Sequence, residues 1–502
     1  MKQFVSCLLV LIASVWPSVR LEAQAPFGCG QGLNQAPAET HRTLNWQGMD
    51  KLKMSASRPK SARPGSARRT KSRDSEVQPL YQDSFNDGSL VLSEGQYTLG
   101  EDIYLDDSTH LFLDGTAELN CLGRHITGDG TGDDNLPLED ASFAVSLQGN
   151  ARLTGCDISL FQTNVFARGN ARIIGGRFDR ALNVGMYISG AVRVYGNINA
   201  GEIQSARPFS WGAFVAGVYL DQASGSNFYG QLQVKNNWHY GLLLQSSHLN
   251  GFNGITGDND QVCGSSAVRL DDSNGNHFRN LLRGGGSQSS LELNNSSGNV
   301  FGDIQSINNH SAITLIGSDN NSFQELNIES AEDTALDIYL SDGNIFESIS
   351  AYDNIFRGIW LNSSNYNSFG QLYVRNTGGA GYGMSLSTSN DNQIMHLTTE
   401  NATIGLYLHD SSRNLFDKID ALRNSGYGAW LYWATDNTLG TVKILGRSEM
   451  DTCLRVERLA DLTVLDPLVM LHNCHIGLYL HRAPLTFNPY FYGNDIDMVQ
   501  PR

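Results

Sequence analysis

Between Gly217 and Leu439 the chain repeats one pattern of apolar and polar positions: a short alternating run, a polar turn, a second alternating run and another turn. Gly358-Ile359-Trp360-Leu361 shows the first run, with Ile359 and Leu361 on one face and Trp360 on the other; Phe369-Gly370-Gln371-Leu372 shows the second. Period-two runs bounded by Gly, Asn, Ser and Asp predict strands, because a helix needs a longer run at a 3.6-residue period. An asparagine marks the register. Asn250, Asn276, Asn299, Asn321, Asn344, Asn367, Asn392, Asn414 and Asn437 recur at spacings of 26, 23, 22, 23, 23, 25, 22 and 23 residues. Each lies six residues after an aliphatic residue (Leu244 through Leu431) and two before a large apolar one (Phe252 through Leu439). A unit of this size with two or three strands and no helix predicts one coil of a parallel β-solenoid. Coils stacked about 4.8 Å apart put the asparagines above one another as a ladder, where each amide can donate to one neighbouring turn and accept from the other.

A shorter rhythm precedes this region. Gly149-Asn150-Ala151-Arg152-Leu153, Gly169-Asn170-Ala171-Arg172-Ile173 and Gly190-Ala191-Val192-Arg193-Val194 recur at intervals of 20 and 21 residues, which predicts tighter coils. Before them, Gln96 to Gly130 reads as strands with glycine at the bends, and we expect residues 81–140 to cap a first coil that would otherwise expose a pairing edge. The solenoid is expected over 141–485 and a tail over 486–502.

Charge and cysteine content refine this picture. The 502 residues carry a formal net charge of -16, yet residues 51–73 hold nine Lys or Arg and no acid among Ser, Pro, Ala and Gly, so 26–80 reads as a flexible basic linker and the remainder is acidic. An acidic body repels phosphate and argues against a nucleic-acid partner. Lys2, the apolar run Phe4 to Val15 and Ala23-Gln24-Ala25 read as a signal peptide over 1–25, so the protein is expected to be secreted, periplasmic or at the cell surface. No later run approaches the roughly 18 apolar residues of a membrane helix. Outside the leader remain Cys29, Cys121, Cys156, Cys263, Cys453 and Cys474, an even number that permits disulfides in an exported chain. With no CxxC spacing among them, buried cysteines acting as small hydrophobes are the favoured expectation.

The opening Gly95-Gln96-Tyr97-Thr98-Leu99, the stretch Leu119 to Gly128 and the Gly-aliphatic-x-Leu to Asn-x-Phe units resemble pectin-lyase-like right-handed parallel β-helix proteins over roughly residues 95–485. Within that superfamily they look most like periplasmic repeat proteins typified by nitrous oxide reductase maturation factors, and like sugar hydrolases of similar repeat. The resemblance implies an all-β, single-stranded right-handed parallel β-helix. It also implies polysaccharide lyases, hydrolases or epimerases with substrate along the outside of the coils. The Arg-x-x-Pro-x-x-Arg of pectate lyases is not evident, since Arg482-Ala483-Pro484 lacks the rest, and Asp133-Asp134 lies in the expected cap and not in a polygalacturonase-like coil. Copper delivery, suggested by the maturation-factor likeness, would want clustered Met, His or Cys. Nine scattered methionines, His277, His396 and His409-Asp410 do not supply that pattern, and the loop Asp129 to Asp134 lacks EF-hand spacing. No metal ligands are therefore assigned, and the cofactor is left unknown.

Aligning the repeats yields an outward column just before the repeat leucine: Arg269, Glu292, Thr314, Asp337, Trp360, Ser385, Tyr407 and Trp430. Aromatic faces at regular intervals suit sugar stacking, which nominates Arg269, Trp360, Tyr407 and Trp430 as substrate-binding residues; coil-to-coil packing is the structural alternative. Glycoside hydrolysis needs two carboxyl groups about 5 to 5.5 Å apart for retention or 6.5 to 9.5 Å for inversion. Glu292 and Asp337, two coils apart, lie about 10 Å from each other along the axis, and Asp303 and Glu325, one coil apart in another column, come closer to the retaining range. These four are the catalytic candidates, with solvated surface charges as the plain alternative. The sequence thus points to an exported β-helix protein that binds a cell-wall or extracellular polysaccharide and, if the carboxylates converge, cleaves it. The alternative is a non-enzymatic, adhesin-like scaffold.

Overall fold

Short strands separated by tight polar turns follow one another along the whole described chain, and each pairs in parallel with the equivalent strand of the next coil. The computed structural model describes residues 68–71 and 77–500, except 86–87, 107–108, 129–142, 204–214, 260–265, 287, 378–380, 447–451, 459, 461, 465–468 and 482–488. These residues fall in one compact unit, Ala56–Arg502. They form about 16 coils of a right-handed parallel β-helix and contain no α-helix. The signal-peptide segment, Cys29 and Cys263 lie outside the described residues.

Two sheets run along the solenoid. Six-residue strands such as Thr334–Tyr339, Arg357–Asn362 and Tyr382–Ser387 build the first. Eight-residue strands such as Ser322–Glu329, Ile345–Tyr352 and Ser368–Arg375 build the second. The repeat aliphatics of the first sheet and the repeat phenylalanines of the second fill the core between them and are fully buried. Phe252, Phe278, Phe301, Phe323, Phe346 and Phe369 stack with centroids 4.8–4.9 Å apart and ring planes within 5–8° of parallel. The strand spacing fixes that separation, and burying each phenylalanine contributes about 1.5–3 kcal/mol.

Polar turns between the sheets would leave backbone groups unpaired in a dry corner without side-chain partners. In the turns that carry Asn276 to Asn437, the amide oxygen of each ladder asparagine accepts from both the backbone N–H and the Nδ2 of the asparagine one coil earlier. Asn321 donates to Asn344 at 2.9 and 3.1 Å, and Asn344 to Asn367 at the same distances. A second column lies three residues before it: the N–H of Ser318 donates to Ser341 Oγ at 2.9 Å, and that of Ser341 to Ser364 Oγ at 3.2 Å. The residue before each of these asparagines has positive φ, as at Gly343 (68°) and Tyr366 (57°), which produces the sharp corner.

Strand pairing extends to both ends of the described residues. Within the region 81–140 expected to cap the stack, strands form shorter coils: Leu90–Glu94 pairs with Leu111–Leu113 and that strand with Phe143–Leu147. The end of the expected linker joins them, since Arg68–Lys71 pairs with Leu90–Glu94; pairing uses backbone groups alone, so basic side chains do not forbid it. In the expected tail, Tyr490–Tyr492 and Ile496–Val499 continue the two sheets. Four cysteines are not free hydrophobes. Cys121 is bonded to Cys156 and Cys453 to Cys474, with Cα separations of 4.9 and 5.6 Å. Stacking brings together residues 35 and 21 positions apart within bonding geometry, which linear spacing does not reveal.

Candidate functional site

Register along the first sheet sets Arg269, Glu292, Thr314, Asp337, Trp360, Ser385, Tyr407 and Trp430 side by side in successive coils, and continues to Arg455 and Tyr479. The fixed Leu-to-Asn interval produces this column, because any residue one position before an inward leucine must face outward.

At its N-terminal end the column is a closed ionic network. Glu292 accepts from Ser266 Oγ at 2.9 Å and Asn294 Nδ2 at 3.1 Å, and lies 3.2 Å from the Arg269 guanidinium. Arg269 also donates to Asp271 at 3.0 Å and lies over the Tyr240 ring. Burial works against the charge on Arg269, yet Glu292, Tyr240 and Asp271 hold its pKa above the ordinary value. Both oxygens of Glu292 and the Arg269 fork are therefore occupied by neighbours.

Asp337 is placed differently. Burial raises its carboxyl to about 7, Arg357 of the next coil opposes the rise and Asp333 adds to it. Its Oδ1 is buried and has no hydrogen-bond partner, and neither does Thr334 Oγ1 on the same strand. Thr334 pairs with Arg357 and Asp337 with Trp360. The Arg357 guanidinium lies 4.0 Å from the Trp360 ring centroid and 4.7 Å from that of Phe356. Two coils on, Tyr407 packs against Tyr382 at 5.4 Å and Trp430 at 5.0 Å. Arg455 spans Tyr427, Trp430 and Tyr479 at 5.0–5.2 Å, donates to the Tyr427 hydroxyl at 2.7 Å and to Glu457 at 2.8 Å; Trp430 Nε1 donates to Glu457 at 3.1 Å. The column is thus a half-buried band of rings and guanidinium groups.

Arg357, Tyr382 and Tyr427 occupy a row that sequence reasoning did not single out, four residues before the repeat aliphatic. Gly358, Gly383 and Gly428 follow them, and a Cβ there would come within 2.3–2.6 Å of opposing core or neighbouring backbone atoms. That Arg/Tyr-Gly pair was the available signal.

Asp303 and Glu325 lie elsewhere. They pair with each other on the second sheet, in a column that continues through Ser348 and Gln371 to His396. Both are exposed, and Glu325 accepts from Asn327 at 2.9 Å. The four carboxylates therefore occupy two different sheets and do not converge on one site. His396 bonds Asp420 at 2.9 Å and Gln371 at 3.1 Å, and His409 stacks on Tyr432 at 5.4 Å.

Coil geometry, paired sheets and core together define a pectin-lyase-like right-handed parallel β-helix protein. A family model described as periplasmic copper-binding protein (NosD) matches residues 278–440 and 348–497. Similar folds occur in the periplasmic alginate epimerase AlgG, at 11% identity and a TM-score of 0.34, covering 70% of this chain and 76% of that one. The Azotobacter vinelandii mannuronan C-5 epimerase AlgE6 A-module is similar at 14% identity and 0.25, covering 84% and 94%. The Dettilon tailspike protein is similar at 11% and 0.27, covering 82% and 64%. These likenesses are of fold alone. No curated protein matches the sequence. The copper-binding description was tested against the donors present: among the described residues no three His, Cys, Asp or Glu side chains come together as a metal site, and Cys453 and Cys474 are consumed by their disulfide. The described residues thus bring no cluster of these four donor types to one place. Nor is any of their helices long and apolar enough to cross a membrane.

Proposed function

We propose that this is an exported β-helix protein that binds a polysaccharide along the outward face of the first sheet, from Arg357 to Tyr479. The observation carrying this reading is the in-register band of half-buried rings, Trp360, Tyr407 and Trp430, flanked by Tyr382 and Tyr427. Such rings offer broad apolar area at little conformational cost, and pyranose faces are their natural complement. Export is supported by the N-terminal leader pattern and by two disulfides, which persist in oxidising compartments.

The carboxylates favour binding over cleavage. Glu292 is tied to Arg269, Ser266 and Asn294, and Asp303 and Glu325 lie on the other sheet. Asp337 is the acid we assign to the ligand-facing band. Retention of the protein on uronic-acid and neutral glycans tests the reading: Trp360→Ala and Trp430→Ala are each expected to weaken it about two- to tenfold, the range of a lost aromatic contact. Wild-type retention by both variants, or retention on no glycan, would overturn it. A scaffold role is favoured by one feature, the guanidinium groups already stacked on Trp360 and Trp430, and that second outcome would select it.

A further inference from the structure

The strongest unexplained feature is the pairing of two orphaned oxygens with a cation that caps a ring. Asp337 Oδ1 and Thr334 Oγ1 are buried without hydrogen-bond partners, although leaving a buried polar atom unpaired is costly. On the adjoining coil, Arg357 stands beside Thr334 and Trp360 beside Asp337. The guanidinium is nonetheless laid on the Trp360 ring, 4.0 Å from its centroid, and makes no hydrogen bond to Asp337 Oδ1. Arg357 therefore interacts with two groups, the ring face it covers and, through its charge, the Asp337 carboxyl.

Resting on the polysaccharide reading above, we propose that Asp337 and Arg357 form a proton-controlled gate on the Trp360 stacking face. With Asp337 protonated, the guanidinium stays on the ring and covers it. When Asp337 loses its proton, the carboxylate draws Arg357 toward Oδ1 and leaves the ring free to receive a sugar. A charge-assisted hydrogen bond to a carboxylate is stronger than a partly exposed cation–π contact, so ionisation reverses the preference.

The groups around the gate set its working range. Arg357 faces Asp337 from the following coil and Asp333 from its own turn; the preceding coil offers Thr314, which does not titrate. Tyr382, beyond Arg357, is raised by burial and stays neutral in the same range. Burial raises Asp337 to about 7 with Arg357 on the ring, and capture of Arg357 by the ionised form draws the midpoint below that value, so the gate opens as pH rises toward neutrality.

Acrylamide quenching of Trp360, taken as the difference between the wild-type protein and Trp360→Phe, reads the gate without any glycan. Between about pH 5.5 and 8.5 quenching is expected to rise about two- to fivefold, the equivalent of losing a cation–π contact of 0.5–1 kcal/mol. Asp337→Asn should hold the ring covered at every pH, and Arg357→Gln should leave it open at every pH. Quenching that is flat with pH in the wild type, or a rise that persists in Asp337→Asn, would overturn the gate. Glycan retention over the same pH range separates the two readings. A quenching step with no retention at any pH removes the polysaccharide reading and keeps the gate; retention with flat quenching does the reverse.

Discussion

Replacing Asn344 by leucine isolates what the turn column contributes. Asn344 Oδ1 receives two donors from Asn321, its backbone N–H at 2.9 Å and its Nδ2 at 3.1 Å, in a corner where all three groups are buried. Leucine removes that acceptor while keeping the four-atom branched side-chain skeleton, so two donors lose their partner at once. Asn367 Oδ1 loses the Asn344 Nδ2 donor but keeps the backbone N–H of position 344. At about 1–3 kcal/mol for each stranded buried donor, the substitution should cost about 2–5 kcal/mol. Each coil touches only its neighbours, so the loss should be local. Urea unfolding followed by far-UV circular dichroism should show a lower midpoint, and hydrogen exchange should quicken at the amides of Asn321 and its immediate neighbours while distant coils keep their protection. Equal midpoints and unchanged exchange for Asn344→Leu would refute the claim that these amides stabilise the corner.

The disulfide between Cys453 and Cys474 closes 21 residues, so Cys453→Ser with Cys474→Ser should lower stability by about 3 kcal/mol, seen as earlier urea unfolding and faster exchange in the last coils; an unchanged midpoint would count against it. Asp337 titrates near 7 in the fold against 3.8 as its ordinary value, so between these the folded state holds a proton the unfolded chain has lost, and wild-type stability should fall from about pH 4 to about pH 7 before levelling. Asp337→Asn removes that slope and should be more stable than wild type by on the order of 2–4 kcal/mol above pH 7, measured by denaturation at several pH values; parallel pH curves for the two proteins would contradict the buried carboxyl.

The solenoid was legible in the sequence because one interval controls everything local. Six residues from leucine to asparagine and two more to phenylalanine specify the strand, corner and strand of each coil, and counting back one position gives the outward column from Arg269 to Trp430. Contacts between coils were harder to read. Arg455 meets Tyr427 from 28 residues away, and Trp430 meets Glu457 from 27, so neither pair has a local signature. The same holds for the cysteines, whose pairing depends on which turns stack. The row of Arg357, Tyr382 and Tyr427 was hidden because it breaks the alternation. Both residues after Arg357 face the core, and the missing Cβ of Gly358 makes room for that turn of the chain. The carboxylate candidates show the limit of spacing arguments: Glu292 and Asp337 share a column, but one is enclosed by partners and the other has an oxygen without any.

The hydrogen bonds between turn asparagines all run one way, from the donor groups of one coil to the acceptor of the next toward the C-terminus. A chain made from its N-terminus therefore carries, while the coils from Asn250 to Asn437 are being added, one corner whose two donors await an oxygen not yet synthesised. Each arriving coil completes its predecessor and exposes the same demand again, which gives assembly a direction that the mirror-like regularity of the repeat does not suggest.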